Sequence, residues 1–424
     1  MAVMHTKTRS RWRPRRDELY PVIVLLMLAT TPAIFLGDGN RNLGLIALMF
    51  VSPAFALQLF SRRMLPLEIF LLFGFAISIV LLPALFHGDT RWSTIFYSLM
   101  FCGLFVSYDN MLRGGSLRIM VFIRCIKYLL FAYTGVLVIQ QICVLIGLPI
   151  FNVSNYNPSE PWKLNSLSAE PSHSARIVGL LMVSYVVALR VAPRLGAPNL
   201  TQGPKDTLVY ACFLWTMITM LSATSVVMLG IVGLAHFDRL KLRYILLGTI
   251  IVGATLLLIP DQLTERVFRI SAATLSLDYE EVLRADHSGA MRVAPMLLLL
   301  DRVEILSFAG LFGHGVDSVS LFLSHYIWGI QEGATGGASM ALWYEYGFIT
   351  FAFFMAFTIK ATGALRAKVN FAVWFLLVFL GGVNNQMAWL AIVCLYTLRF
   401  YERRAHLLDN RVRPSSVLAG SGGV

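Results

Sequence analysis

Three short polar segments carry the residue types that could do chemistry in this chain. The first runs from Trp162 to Arg176 and holds Lys163, Glu170-Pro171-Ser172, His173 and Arg176. The second is Asp286-His287-Ser288-Gly289-Ala290-Met291-Arg292, and the third is Gly313-His314-Gly315 with His325 a little further on. Two cations beside a carboxylate at a membrane boundary suit an anionic headgroup. Arginine in particular grips phosphate through two charge-assisted hydrogen bonds from its planar fork. Snorkelling of Lys163 and Arg176 to the interface explains the same composition equally well. A lone arginine at a helix start is most often surface charge, and a lone histidine between glycines is most often loop. Glu345, flanked by Trp343, Tyr344 and Tyr346, is either a tolerated boundary carboxylate or a group that orients Arg176 or Arg292. A charge at mid-bilayer costs about 2.5–3.5 kcal/mol, and less near the interface.

The elements that must position these segments are hydrophobic helices. The chain is 57% hydrophobic and 14% charged, with a mean hydropathy of +0.70. One crossing of the hydrocarbon core takes roughly 20 apolar residues. The pattern predicts an all-α polytopic membrane protein with about twelve spans, near 19–36, 43–60, 65–86, 93–107, 128–146, 177–193, 207–221, 226–236, 244–260, 341–359, 371–381 and 388–400. Pro21, Pro32 and the length of the first run favour an uncleaved anchor over a cleaved signal peptide.

Lysine and arginine set the orientation. Placing both termini inside puts 26 of the 35 basic residues on the cytoplasmic side. Residues 1–18 are then a basic cytoplasmic N-terminus, 19–400 the membrane domain, and 401–424 a cytoplasmic tail, Ser/Gly-rich and disordered from Arg411. Two polar loops, 147–176 and 261–339, fall together on the outer face. The net charge of +12 is therefore largely topological, and a nucleic-acid partner is not expected. The five cysteines lie in or beside apolar runs without CxxC spacing, which predicts packing roles. No cofactor motif or metal cluster is evident. Within the longer loop, Gln262 to Leu283 and Ala290 to Leu306 read as helices, with Ser288-Gly289 a break before the second. That second helix would place Val293, Met296, Leu297, Leu300 and Val303 against the membrane surface. Gly329 to Gly337 reads as mobile.

Taken in order, these segments resemble the O-antigen polymerase and O-antigen ligase superfamily of bacterial envelope glycan assembly. That family carries a basic residue before a Gly-Leu-Phe-x-Glu-Pro-Ser-type segment in one outer loop. A larger outer loop then holds a Ser-Gly-x-x-Arg segment, an amphipathic helix and a Gly-His-Gly turn, and a helix follows that is entered through Glu-x-Gly. The matching positions here are Lys163 before Leu167 to Ser172, Ser288 to Arg292, Gly313 to Gly315, and Glu345-Tyr346-Gly347, within a resemblance covering about 120–400. Two departures stand out. Lys163 and Ser166 replace the usual arginine and glycine. The His-Asn pair that ligases place nine residues before Glu-x-Gly is here Gly336-Gly337, with His325 eleven residues earlier.

The resemblance implies a polymerase of polyprenyl-pyrophosphate-linked oligosaccharide repeat units in the bacterial inner membrane, working at its outer face by inverting transfer. Arg292, Arg176 and Lys163 would bind the pyrophosphate. The general base would be His325, Glu170 or His314, in that order, with Ser172, Gly313, Gly315 and Glu345 in support. No metal or other cofactor is implied, and a chain-length regulator protein is a possible partner. A ligase that transfers finished glycan remains an alternative. So does a twelve-span flippase or exporter, although the break after the ninth span spoils the symmetry such carriers show.

Overall fold

The computed structural model describes residues 15–30, 42–56, 66–88, 90–152, 161–197, 204–220, 222–236, 269, 272–273, 276, 278–285, 287–302, 304, 307–327 and 338–412. Among them the regular structure is helical throughout. The longer elements are α1 (Leu19–Ala29), α2 (Leu43–Ala56), α3 (Leu67–Phe86), α4 (Trp92–Arg113), α5 (Ile119–Leu145), α6 (Pro171–Val191), α7 (Pro204–Thr219) and α8 (Ala223–His236). There follow α9 (Tyr279–Ala285), α10 (His287–Arg302), α11 (Phe308–Phe312), α12 (Ser318–Ser324), α13 (Ala338–Thr362), α14 (Lys368–Val373) and α15 (Gln386–Val412).

Among the described residues, five helices are long and apolar enough to cross a membrane: α3, α4, α5, α6 continued to Leu195, and α13. Shorter apolar helices at Leu43–Ala54, Asp206–Thr219, Thr224–His236 and Lys368–Phe379 accompany them. This is the architecture of an α-helical membrane protein. The expected span at 244–260 and the glycine-rich stretch Gly329 to Gly337 lie outside the described residues, as does most of Gln262 to Leu283.

The bundle is organised around α15 and α6. Every residue from Met387 to Arg399 is buried, so α15 is surrounded on all sides, the arrangement expected of a helix apolar all round. It packs on α1, α4, α6 and α13, while α6 packs also on α5, α7 and α8, and α13 lies along α3. Phe101 and Trp389 stack with centroids 5.3 Å apart at the centre. Large apolar side chains on the periphery, such as Phe50, Phe70, Ile77, Ile139 and Trp215, point outward at half exposure or more, as a lipid-facing surface requires. Cys102, Cys125 and Cys394 are buried in the packing, and Cys143 and Cys212 partly so.

One end of the bundle is held by charge. Arg118 makes a two-pronged contact with Glu18 at 2.5 and 2.8 Å, joining the chain before α1 to the start of α5. Burial pushes the Glu18 carboxyl up, but the Arg118 guanidinium and the Arg15 amide outweigh it and hold the group below the usual carboxylate value. At the start of α3, Glu68 pairs with Arg399 at 2.9 Å and Arg403 at 3.3 Å. Beside it, buried Asp109 accepts from Arg113 at 2.6 Å and from the Tyr396 hydroxyl. Arg399 is only 2% exposed, so removing its partner strands a buried cation. Breaking such a pair costs about 3–5 kcal/mol. Glu68→Ala should therefore lower the thermal midpoint in detergent far more than Arg403→Ala, whose side chain is 41% exposed. Equal midpoints for the two variants would refute this ranking.

At the opposite end of α3 and α4, a small second core forms over the bundle. Val282 of α9, Ala294, Leu297, Leu298 and Leu299 of α10, and Val319 and Leu323 of α12 pack with Met340 and Tyr344 of α13. This corrects two readings of the sequence. The helix begins at His287, so Ser288-Gly289 lies inside α10 rather than breaking the chain before it. The buried face turns on Ala294 and Leu298 as well as Leu297, while Leu300 is 53% exposed. A third difference concerns the tail: α15 continues to Val412, past residue 401.

Candidate functional site

An interlock joins the Gly313-His314-Gly315 turn to a break in α13. Gly347 has φ 82° and ψ 170°, which interrupts the helix inside a predominantly apolar element. That conformation is open almost only to glycine. The break leaves the carbonyls of Tyr344 and Glu345 without their usual acceptor role one turn on, and orphaned carbonyls in an apolar setting need partners. The turn supplies them: the His314 amide donates to Tyr344 O at 2.9 Å and the Gly315 amide to Glu345 O at 3.1 Å.

The two segments approach so closely that side chains are excluded on both sides. A Cβ on Gly313 would collide with the Glu345 carbonyl, and one on Gly347 with the Leu311 carbonyl. Gly313 and Gly315 also hold φ of 89° and 100°. Trp343 Nε1 donates to Gly310 O at 3.0 Å and staples α11 to the same turn. The two glycine motifs, 30 residues apart in sequence, are two halves of one joint.

This joint presents His314. Its ring stacks on Tyr344 with centroids 4.0 Å apart and planes 6° from parallel. Its Nδ1 lies 3.1 Å from Tyr344 O. A carbonyl only accepts, so Nδ1 carries a proton, and in the neutral ring Nε2 is then the nitrogen with the lone pair that a general base needs. His325, at the end of α12, is bonded the same way, Nδ1 to Leu321 O at 2.7 Å, and both rings are exposed, but among the described residues no ring stacks on His325. Glu345 is partly buried, and its carboxyl faces the backbone amides of Asp317 and Val319.

The first polar loop folds into its own compact anchor at the start of α6. Ser166 sits at φ 53°, in the left-handed region that favours the glycine usual at this position in the resembled family. Two bonds offset the strain: its amide donates to Gln140 Oε1 at 2.8 Å and its hydroxyl to Tyr133 O at 2.5 Å. Asn152 donates to the carbonyls of Ser166 and Ser168 at 2.7 and 2.8 Å, and Asn165 to Ala169 O at 2.8 Å. The knot places Pro171 at the first turn of α6, where its missing N–H costs nothing. It also gathers Glu170, Ser172, His173 and Arg176. Ser172 Oγ donates to Glu170 Oε2 at 3.1 Å, His173 Nε2 is 3.8 Å from the same oxygen, and Arg176 Nε donates to Ser172 O at 3.3 Å. Lys163 lies on the approach to this knot, partly buried.

Both sets lie at the same end of the bundle. α4 runs from Thr94, which contacts Asp317 beside the joint, to Arg113 in the charged cluster. α5 starts at that charged end beside Glu18, so its far end and the start of α6 return to the end that holds the joint. The third cation, Arg292, lies in the first turns of α10, and its side chain is outside the described residues. So are Gly336-Gly337, where ligases carry the His-Asn pair.

The structure adds residues that sequence reading missed. Asp317 has φ 62° and accepts from Arg91 at 3.2 Å and from Thr94 at 3.3 Å, while His87 lies over Gly315. Sequence offered no signal for them beyond polar residues in the short hairpin between α3 and α4. No known protein family, curated protein or solved structure matches this chain.

Proposed function

We propose that the protein is a membrane glycosyltransferase that polymerises polyprenyl-pyrophosphate-linked oligosaccharide repeat units at the outer face of a bacterial inner membrane. One observation supports this reading most. The two polar excursions converge on one end of an apolar bundle, where the glycine joint holds the His314 ring with Nδ1 bonded to a backbone carbonyl. In this reading both termini are cytoplasmic, about twelve spans cross the bilayer, and the joint faces outward.

The chemistry follows from the parts. His314 Nε2 takes the proton of an acceptor sugar hydroxyl as its oxygen attacks C1 of the donor sugar. The C1–O bond to the pyrophosphate breaks with inversion, and the pyrophosphate departs with both electrons. Arg292, Arg176 and Lys163 stabilise the charge that develops on it. Glu170 and Ser172 position Arg176, and Gly313, Gly315 and Glu345 hold the joint.

Deleting the gene and profiling surface glycan with lipid-linked intermediates tests the reading. Single repeat units, exposed outside but never lengthened, are the expected result. Long polymer stranded on the lipid would make the protein a ligase. Single units trapped on the cytoplasmic face would make it a flippase.

A further inference from the structure

The hairpin between α3 and α4 forms one wall of the joint, and no role in the mechanism above uses it. His87, the residue after α3, packs its ring over Gly315: a Cβ there would lie 3.6 Å from the ring's Cγ and Nδ1. His87 Nε2 is buried and has no hydrogen-bond partner among the described residues. Buried polar atoms in native proteins are overwhelmingly paired, so a bare ring nitrogen at a site marks a place where a ligand or water completes the bond.

The same hairpin is anchored. Arg91 and Thr94 both donate to Asp317, whose left-handed φ of 62° sets the entry to α12 immediately after the Gly313–Gly315 turn. Arg91 nonetheless leaves 62% of its side chain exposed, and a guanidinium has five donors of which this pair takes one. Phe86, Phe308 and Phe312 cluster alongside, with centroids 4.5 to 5.3 Å apart. Phe308 is 61% exposed and Phe86 41%. An apolar ring surface beside an unpaired acceptor or donor and a multi-donor cation is the combination that binds a pyranose: its C–H face lies on the rings, and its hydroxyls meet the polar groups.

Building on the glycosyl-transfer reading, we infer that this hairpin is the acceptor side of the site. His87 Nε2 hydrogen-bonds a hydroxyl of the incoming repeat unit's sugar, and Arg91 donates to a second hydroxyl of the same ring. His87 binds and orients; it takes no proton from the reaction.

The test uses the full-length protein in lipid vesicles. The donors are short lipid-linked chains, and the acceptors are single lipid-linked units extracted from cells lacking the gene. His87→Ala should raise the acceptor KM about tenfold, the value of one lost hydrogen bond. The donor KM and the thermal midpoint should stay as they are, and His87→Gln should recover part of the loss. Arg91→Ala, on an exposed side chain, should shift the same parameter and decides the matter if His87→Ala fails to fold. An unchanged acceptor KM in both variants, or a shift confined to the donor, overturns the inference while leaving the polymerase reading intact. A folded wild type that transfers nothing overturns the polymerase reading itself, and the inference with it.

Discussion

Gly347→Ala should abolish chain growth while leaving the protein inserted in the membrane. The backbone there is at φ 82° and ψ 170°, and holding an alanine in such a region costs about 1–3 kcal/mol before any contact is counted. The added methyl group also collides with the Leu311 carbonyl. Relief comes in only two ways. The helix can straighten, reclaiming the Tyr344 and Glu345 carbonyls for its own ladder, or the Gly313–Gly315 turn can be pushed off. Either route removes the stacking surface and the carbonyl that fix His314. Misplacement of a reacting group by about 1 Å costs about 10²-fold in rate, so the loss should be at least that large. Gly313→Ala should reproduce it, because its Cβ meets the other half of the same joint. Gly115→Ala is the control. It has a comparable φ of 81° but open space around the Cβ position, and it lies at the charged end. The measurement is lipid-linked polymer formed by equal amounts of membrane-inserted protein. Gly347→Ala polymer at the level of the Gly115→Ala control would remove the joint from the mechanism.

His314→Ala is the second large effect expected. Removing a general base costs about 10²- to 10⁴-fold, and the loss should fall on kcat, with the donor KM little changed. His325→Ala should retain most activity. Both histidines are exposed and bond a backbone carbonyl through Nδ1, but the His314 ring also lies flat on Tyr344, which fixes its plane, whereas His325 sits at the end of α12 with no ring stacked on it among the described residues. We therefore place His314 first, where the sequence suggested the order His325, Glu170, His314. A pair of variants in which His325→Ala is dead and His314→Ala is active would restore it.

The reason for preferring His314 separates what is local from what is not. Spacing to the next motif favoured His325 because it lies nearest the position where ligases carry histidine. Sequence spacing cannot show that Tyr344 will lie flat against His314, since that contact spans 30 residues and depends on a helix break. The break itself had a local signal in Gly347, but one glycine in an apolar run is a weak one. Its meaning came from the Gly313 and Gly315 amides opposite it. Glu345 shows the same limit: its carboxyl faces the amides of Asp317 and Val319, a contact that sequence spacing did not indicate.

The amphipathic helix in the second loop was legible as a helix, and its buried face only in part. Counting apolar residues chose Val293, Met296, Leu297, Leu300 and Val303; of these Leu297 is buried and Met296 packs against the core, Leu300 is exposed, and the helix covers the top of α13 with Ala294 and Leu298 also turned inward. A membrane surface accepts any wide apolar stripe. A neighbouring helix accepts only the stripe that fits its groove.

Sequence by itself determined that this is a helical membrane protein, because apolar runs of such length have no other stable home and demand internally satisfied backbones. It also marked the two polar loops as the places where chemistry can happen. Tertiary structure alone decided which of those residues meet. It joined two glycine motifs into one support, laid His314 on Tyr344, and brought His87, Arg91 and Asp317 to the same end of the bundle. Hydrophobicity is additive along a chain and can be read from composition, whereas a site depends on directional bonds between segments that composition does not order.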